Sequence, residues 1–287
     1  MKFRWIISVL LFANSNWLSA APNIVDVVQS PAWLVRESKV SALRPGTEII
    51  AGDTIRTGFG ARVLLKLGEG SDVKLGASSR WSLESQTESS ADRIFSAVMS
   101  IAKGAFRFTT TALSKEKKRN IKARLNTATI GIRGTDVWGR TDAEKTFVVL
   151  IEGNIEIERN DRVTEMSEPL SLYNAPNAEP ADPLSTVSTE DLQIYAQETE
   201  PQAGQGVSLR AGGWRINLAS YRNPDNARYL ESALDEQGYP SSSETATIGG
   251  NHYTRVYIAG LASRADAQAL GKKISADHSV SPWVTPE

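Results

Sequence analysis

Trp214-Arg-Ile-Asn-Leu-Ala-Ser-Tyr221 alternates apolar and polar side chains, as a strand does when one face is buried and the other is wet. Immediately after it, Pro224 to Gln237 carries Ala227, Leu230, Ala233 and Leu234 at helical spacing and stops at Gly238. Glu244 to Ile248 and Tyr253 to Ala259 read as two strands joined through Gly249-Gly250-Asn251. Ser263 to Asp277 reads as a second helix, with Ser263 as cap and Asp266 three residues on, and Trp283-Val284 lies in a last strand. The order β-α-β-β-α-β predicts a four-stranded antiparallel sheet with both helices on one face.

That arrangement leaves the other sheet face open. Alternation points Ile216, Leu218, Val256 and Ile258 at the helices and assigns Arg215, Asn217, Tyr253, Arg255 and Tyr257 to the open side. Rings pack on the flat apolar faces of sugars, and fixed amide and guanidinium groups meet hydroxyl and acetamido groups. Each neutral hydrogen bond contributes only about 1 kcal/mol net, so several must act together.

Upstream the chain has a different character. Arg62-Val-Leu-Leu-Lys-Leu67, Asp72-Val-Lys-Leu75, Ala105-Phe-Arg-Phe108, Phe147-Val-Val-Leu-Ile151 and Asn154-Ile-Glu-Ile-Glu158 are short apolar or alternating runs. Pro45-Gly46, Gly52-Asp53, Gly68-Glu-Gly70 and Glu152-Gly153-Asn154 punctuate them. The pattern over residues 22–170 predicts an all-β domain, a β-sandwich or a short β-solenoid, with a helical turn or two only at Ala91 to Ala102. Residues 171–210 hold 1 basic and 6 acidic residues, against 22 and 19 in 22–170 and 7 and 8 in 211–287. This stretch, rich in Pro, Glu and Ala, reads as an acidic linker, flexible or extended apart from a short helix capped by Ser188.

At the N-terminus, Lys2 and Arg4 precede the apolar run Trp5 to Ala13, and Leu18-Ser19-Ala20-Ala21-Pro22 follows. A charged start, a short apolar core and small residues make a cleavable signal peptide, cut after Ala20. The run falls short of the roughly 20 residues that span a bilayer, so a soluble mature protein is expected. With 32 basic and 33 acidic residues overall, nothing argues for nucleic acid. No cysteine is present, which excludes disulfides and thiolate chemistry.

The C-terminal residues resemble a SPOR domain, a sporulation-related, peptidoglycan-binding family. Trp214 to Arg222, Asn226-Ala227, Gly238-Tyr239 and Tyr253-Thr-Arg-Val-Tyr-Ile-Ala-Gly-Leu261 carry the likeness, which covers about 211–285. It implies a ferredoxin-like α+β fold that binds glycan strands stripped of stem peptides, often at division septa. The family's Gln-x-x-Ser matches Asn217 and Ser220, and its aromatic and arginine match Tyr253 and Arg255. Asn217 departs by one methylene. Trp283 falls near the family's last-strand contact. Upstream, Gly52 to Arg62, Gly70 to Gly76, Thr127 to Asp136 and Val149 to Asn154 resemble a FecR domain over about 25–165. That likeness implies a periplasmic relay, although no cytoplasmic anti-sigma segment or membrane helix accompanies it.

Other signals read as structural. Gly58-Phe-Gly60 lacks the third glycine and helix of a phosphate loop, and Arg133-Gly134-Thr135 suits a turn between strands. Lys115 to Arg124 holds six basic residues and one acidic, the pattern of a solvated loop. His252 and His278 are the only histidines and cannot assemble a zinc site with no cysteine to help them. The expectation is a non-catalytic periplasmic protein with no cofactor, binding peptidoglycan through Asn217, Ser220, Tyr253, Arg255 and Trp283. The β domain then serves as a scaffold or a site for another envelope protein, or the chain acts as a wall-tethered signalling adaptor.

Overall fold

In a computed structural model of the chain, residues 21–89, 94–110 and 118–287 are described; the expected signal peptide, residues 91–93 of the helical turn expected at Ala91 to Ala102, and residues 115–117 of the basic run lie outside them. Strands dominate the first two thirds: β1 (Asn23–Gln29), β2 (Ala32–Arg36), β3 (Lys39–Ala42), β4 (Glu48–Ile49), β5 (Thr54–Thr57), β6 (Arg62–Lys66), β7 (Asp72–Leu75) and β8 (Arg80–Ser89). They continue as β9 (Ile94–Thr109), β10 (Lys118–Arg124), β11 (Thr129–Thr141), β12 (Lys145–Arg159), β13 (Arg162–Met166), β14 (Ser171–Pro176) and β15 (Ser185–Thr186). Helix α1 (Thr189–Thr199) and β16 (Val207–Leu209) follow. The C-terminal unit is β17 (Trp214–Tyr221), α2 (Pro224–Glu236), β18 (Ser242–Ile248), β19 (Asn251–Leu261), α3 (Arg264–Asp277) and β20 (Trp283–Pro286). The described chain is thus mostly β, with three helices.

Residues 94–102, expected to be helical, form the first half of β9. Phe95, Ala97, Met99 and Ile101 are buried while their neighbours are not, a period of two that only a strand satisfies. Ala and Met gave the segment helical composition, but burial follows its alternation. The strand then changes partners. Its first half pairs with β8 and, in parallel, with β10, and beyond Gly104 its second half pairs with β7 and β11. Gly104 sits at φ +99, and a Cβ there would lie 2.1 Å from Ser79 Oγ, so a side chain is refused on both counts. The core inside these strands is built on Trp81, Phe95, Phe106, Phe108 and the aliphatic residues of β1, β11 and β12.

Residues 171–210, expected to be flexible or extended outside one helix, are instead folded onto the β region. Strand β14 continues the ladder of β12, and β16 pairs with β1. Helix α1 has the expected Ser188 cap, its hydroxyl accepting from Asp191 N at 3.0 Å. Tyr195 of α1 stacks on Trp138 with centroids 4.8 Å apart. Arg140 and Lys74 pair with Glu198 and Glu200, so two of the segment's six acidic residues meet cations of the β strands.

In the C-terminal unit the strands lie in the order β20-β17-β19-β18, every neighbour antiparallel. Asn223 caps α2 and Ser263 caps α3, each accepting a backbone N–H of the first turn. Ile248 pairs with Asn251 across Gly249 and Gly250, both at positive φ, as a two-residue hairpin requires. Ile216, Leu218, Val256 and Ile258 pack with Ala227, Leu230 and Leu234 of α2 and Leu270 and Ile274 of α3. Both helices therefore cover one face.

Candidate functional site: the open face of the C-terminal sheet

What remains uncovered is the opposite face, and the register shows how it is built. Across the sheet, Trp283 stands opposite Asn217, Asn217 opposite Tyr257, and Tyr257 opposite Ser242. The next row is Ser220, Arg255 and Glu244, and Tyr253 pairs with Ala246 beyond it. Simple alternation puts residues three apart, such as Asn217 and Ser220, on opposite faces. A β-bulge between Asn217 and Ala219 absorbs Leu218 into the core and brings Ser220 round to face Arg255's row.

Within this face the side chains form one network. Arg215 donates to Asn217 Oδ1 from Nε at 3.1 Å and from Nη2 at 2.9 Å. Asn217 Nδ2 donates to Thr285 Oγ1 at 3.1 Å, and the side chain is buried, at 1% exposure. Asn217 is therefore in the site, but its amide serves the protein more than it faces outward. Arg215 lies 4.2 Å from the centre of the Tyr257 ring and Arg255 lies 5.4 Å from that of Trp283, which is 40% exposed. At these distances each guanidinium carbon lies within cation–π range of its ring. Tyr253 sits toward the end of the face, where Arg222 Nε donates to its hydroxyl at 3.3 Å.

Two polar atoms in the central row lack a partner among the described residues: Ser220 Oγ and Arg255 Nε. They are two of eleven such buried atoms among the described residues, and they lie on directly opposed residues of the open face. Glu244, which the sequence reading left out, accepts from Arg215 and stands 3.7 Å from Arg255. The Arg215 hydrogen bond holds the Glu244 carboxyl below its ordinary range and Arg215 above its own. Alternation along Ser242, Glu244 and Ala246 was the available signal, since these positions share the side of Tyr253, Arg255 and Tyr257.

Every hydrogen bond, ion pair and ring contact described for Arg215, Asn217, Tyr253, Arg255 and Trp283 side chains stays within residues 211–287. Contacts with the β region are made by α2, α3, β16 and the turn before β18, where Arg44 bonds the carbonyls of Pro240 and Ser241 and reaches Ser242 Oγ at 3.3 Å. The five expected residues thus share one face, with Asn217, Ser220, Arg255 and Trp283 clustered and Tyr253 at its edge.

A helix-backed sheet whose open face presents rings, guanidinium groups and a hydroxyl is a surface of the kind binding modules offer. The comparisons with known proteins agree: the chain carries a SPOR domain at residues 211–286 and matches the family described as FecR protein at residues 53–156. A SPOR domain points to peptidoglycan binding and a FecR domain to envelope signalling, and both are binding or regulatory families. No curated protein matches the chain. Among solved structures, two crystal structures of a "putative anti-sigma factor" from Parabacteroides distasonis are similar. The one at 2.50 Å has 15% identity over 78% of this chain and 91% of that one, with a TM-score of 0.41. The one at 1.65 Å has 13% identity over 79% and 92%, with a TM-score of 0.42. Among the described residues no helix is long and apolar enough to cross a membrane, and no group of three or more His, Asp or Glu side chains is placed to hold a metal ion.

Proposed function

We propose that this protein is a non-catalytic periplasmic component of the cell envelope that binds peptidoglycan glycan strands freed of stem peptides. The ligand lies along the open face of the SPOR domain, a sheet of ferredoxin-like form. Trp283 and Tyr253 supply rings for sugar faces, and Ser220 and Arg255 supply the polar contacts, while Asn217 fixes Arg215. The observation that carries this reading is the cluster of unpartnered Ser220 Oγ and Arg255 Nε beside a part-exposed Trp283. Residues 1–20 act as the export signal, 22–170 as a FecR-like scaffold or partner-binding domain, and 211–287 as the wall-binding domain, enriched at septa where such strands arise.

Sedimentation with purified sacculi, before and after amidase treatment, tests the reading. Retention that rises after amidase is expected; equal failure with both would overturn it. A second reading is favoured by the FecR match at residues 53–156. In it the β region senses another envelope protein and the SPOR domain tethers it to the wall. Co-purification of the full chain with a membrane regulator, lost on altering the β region alone, supports that role.

A further inference from the structure

At the middle of the open face two guanidinium groups share one carboxylate, and they share it unequally. Glu244 Oε2 accepts from Arg215 Nη1 at 3.3 Å, and its Oε1 is in close contact with Arg215 Nη2. Arg215 also donates twice to Asn217 and lies over Tyr257, so its donors are largely committed. Arg255 has only the 3.7 Å approach to Glu244 Oε1, its stacking on Trp283, and a buried Nε without an acceptor. One cation of the pair is neutralised from within the sheet. The other is left short of an anion.

We propose that Glu244 is an internal counter-ion that sets the specificity of this face, leaving Arg255 alone to receive a carboxylate of the bound polymer. The proposal rests on the reading that the face holds glycan strands freed of stem peptides, and it names the group on them that is recognised. A stem peptide is joined through an amide to the lactyl ether of each muramic acid. Hydrolysis of that amide leaves a free lactyl carboxylate, so a stripped strand differs from an intact one in charge as well as in bulk. A planar carboxylate suits the planar donor edge of a guanidinium. Arg255 lies 5.4 Å from the centre of the Trp283 ring, and that part-exposed ring can take the adjoining sugar face.

Glu244 then has a second consequence. Arg215 and Arg255 side by side without it would form a doubly charged patch, attractive to any polyanion. With Glu244 between them, the three groups sum to a single positive charge. That favours a sparsely charged polymer, with one carboxylate on every second sugar, over a densely charged one. The carboxylate of Glu244 lies on an edge strand paired only with β19, so its removal leaves the packing of the helix face untouched.

The experiment compares binding of the full chain to amidase-stripped strands with free lactyl carboxylates and to the same strands after carbodiimide coupling to ammonia, which turns each carboxylate into a neutral amide. Polyglutamate serves as the dense polyanion. The wild type is expected to bind the free-carboxylate strands about tenfold more tightly than the amidated ones, the scale of one charge-assisted hydrogen bond. Glu244→Gln is expected to gain affinity for polyglutamate with a steep salt dependence. Equal binding of free and amidated strands by the wild type overturns the carboxylate proposal while leaving glycan binding intact, and needs no variant to fold. Retained preference with no gain for polyglutamate in a folded Glu244→Gln removes the role of Glu244. Binding of neither strand overturns the glycan reading, and this inference with it.

Discussion

Asn217 shows how a residue can belong to an open face while its side chain serves the fold. Its Oδ1 takes two N–H groups of Arg215 and its Nδ2 reaches Thr285, and Asn217 itself is 1% exposed. Asn217→Ala would leave Arg215 and Thr285 with unmet hydrogen bonds in a half-buried place, a loss of about 1–3 kcal/mol. The denaturant midpoint should fall accordingly, and glycan binding with it, because Arg215 loses the groups that orient it. Tyr253 is the contrasting case: its described polar contact is with Arg222, at the end of the face. Tyr253→Ala should weaken glycan binding by a few kcal/mol at most, the range of an aromatic anchor, with an unchanged thermal midpoint. Glu244 supplies a pH test. Its folded carboxyl is held below the ordinary value by Arg215, with Arg255 adding to the effect. Stability from that pair is therefore full above the unfolded carboxylate range, about pH 4, and is lost as pH falls through the depressed folded value. Asp142, lowered by backbone N–H groups of Lys145 and Glu144, acts in the same direction. The drop in thermal midpoint between about pH 5 and 3 should thus be smaller in Glu244→Gln than in the wild type, and an identical drop would deny the pair any linkage.

At the scale of elements, what the sequence made legible was local and what it hid was long-range. The period of Trp214 to Tyr221, the caps at Asn223 and Ser263 and the Gly249-Gly250 hairpin each depend on neighbours within a few residues. The open face could be read from them. Ser220 came only from the family resemblance and not from alternation, because its side is decided by a bulge, and a bulge exists only against a partner strand some forty residues on. Composition misjudged residues 171–210 for the same reason: β14 and β16 are strands because β12 and β1 offer them edges. The connection into the C-terminal unit has its own device. Asp266, 1% exposed at the start of α3, accepts at Oδ1 from the backbone N–H groups of Gly204, Gly206 and Val207, at 2.8, 3.1 and 3.0 Å. A carboxylate held by several backbone donors is worth more than the sum of neutral bonds, and its loss strands each donor in a dry site. Asp266→Ala should cost about 3 kcal/mol or more and open residues 200–206 to proteolysis before the chain unfolds globally. Cleavage there no faster than in the wild type would mean the connection is held by β16 alone.

Over the whole molecule, the SPOR domain is joined to the β region mainly by its helix side, and Arg44 reaches the open face only at its margin, at Ser242. Trp33 Nε1 donates to Glu236 O at 2.9 Å, Ala32 N to Gly238 O at 3.1 Å and Lys273 Nζ to Ser30 O at 3.2 Å. Asp235 accepts from Ala42 N at 2.9 Å, and Arg44 donates to the carbonyls of Pro240 and Ser241. Gly238, at φ +78, lets α2 approach so closely that a Cβ there would lie 2.7 Å from the Trp33 ring. Strand β16 completes the junction, paired to β1 on one side and to β19 on the other. A shared ladder together with part-buried polar contacts couples the two parts, since separating them gives up the β1–β16–β19 pairing and these bonds at once. Calorimetry of the wild type should therefore show one transition. Arg44 and Asp235 bridge the junction without side-chain bonds inside their own parts, so Arg44→Ala combined with Asp235→Ala weakens the coupling and leaves each core intact. The pair should remove about 2 kcal/mol and split the transition, the smaller C-terminal unit melting first. Two transitions already in the wild type would mean the junction is adhesive only, and that a ligand on the open face could not be felt by the β region through it.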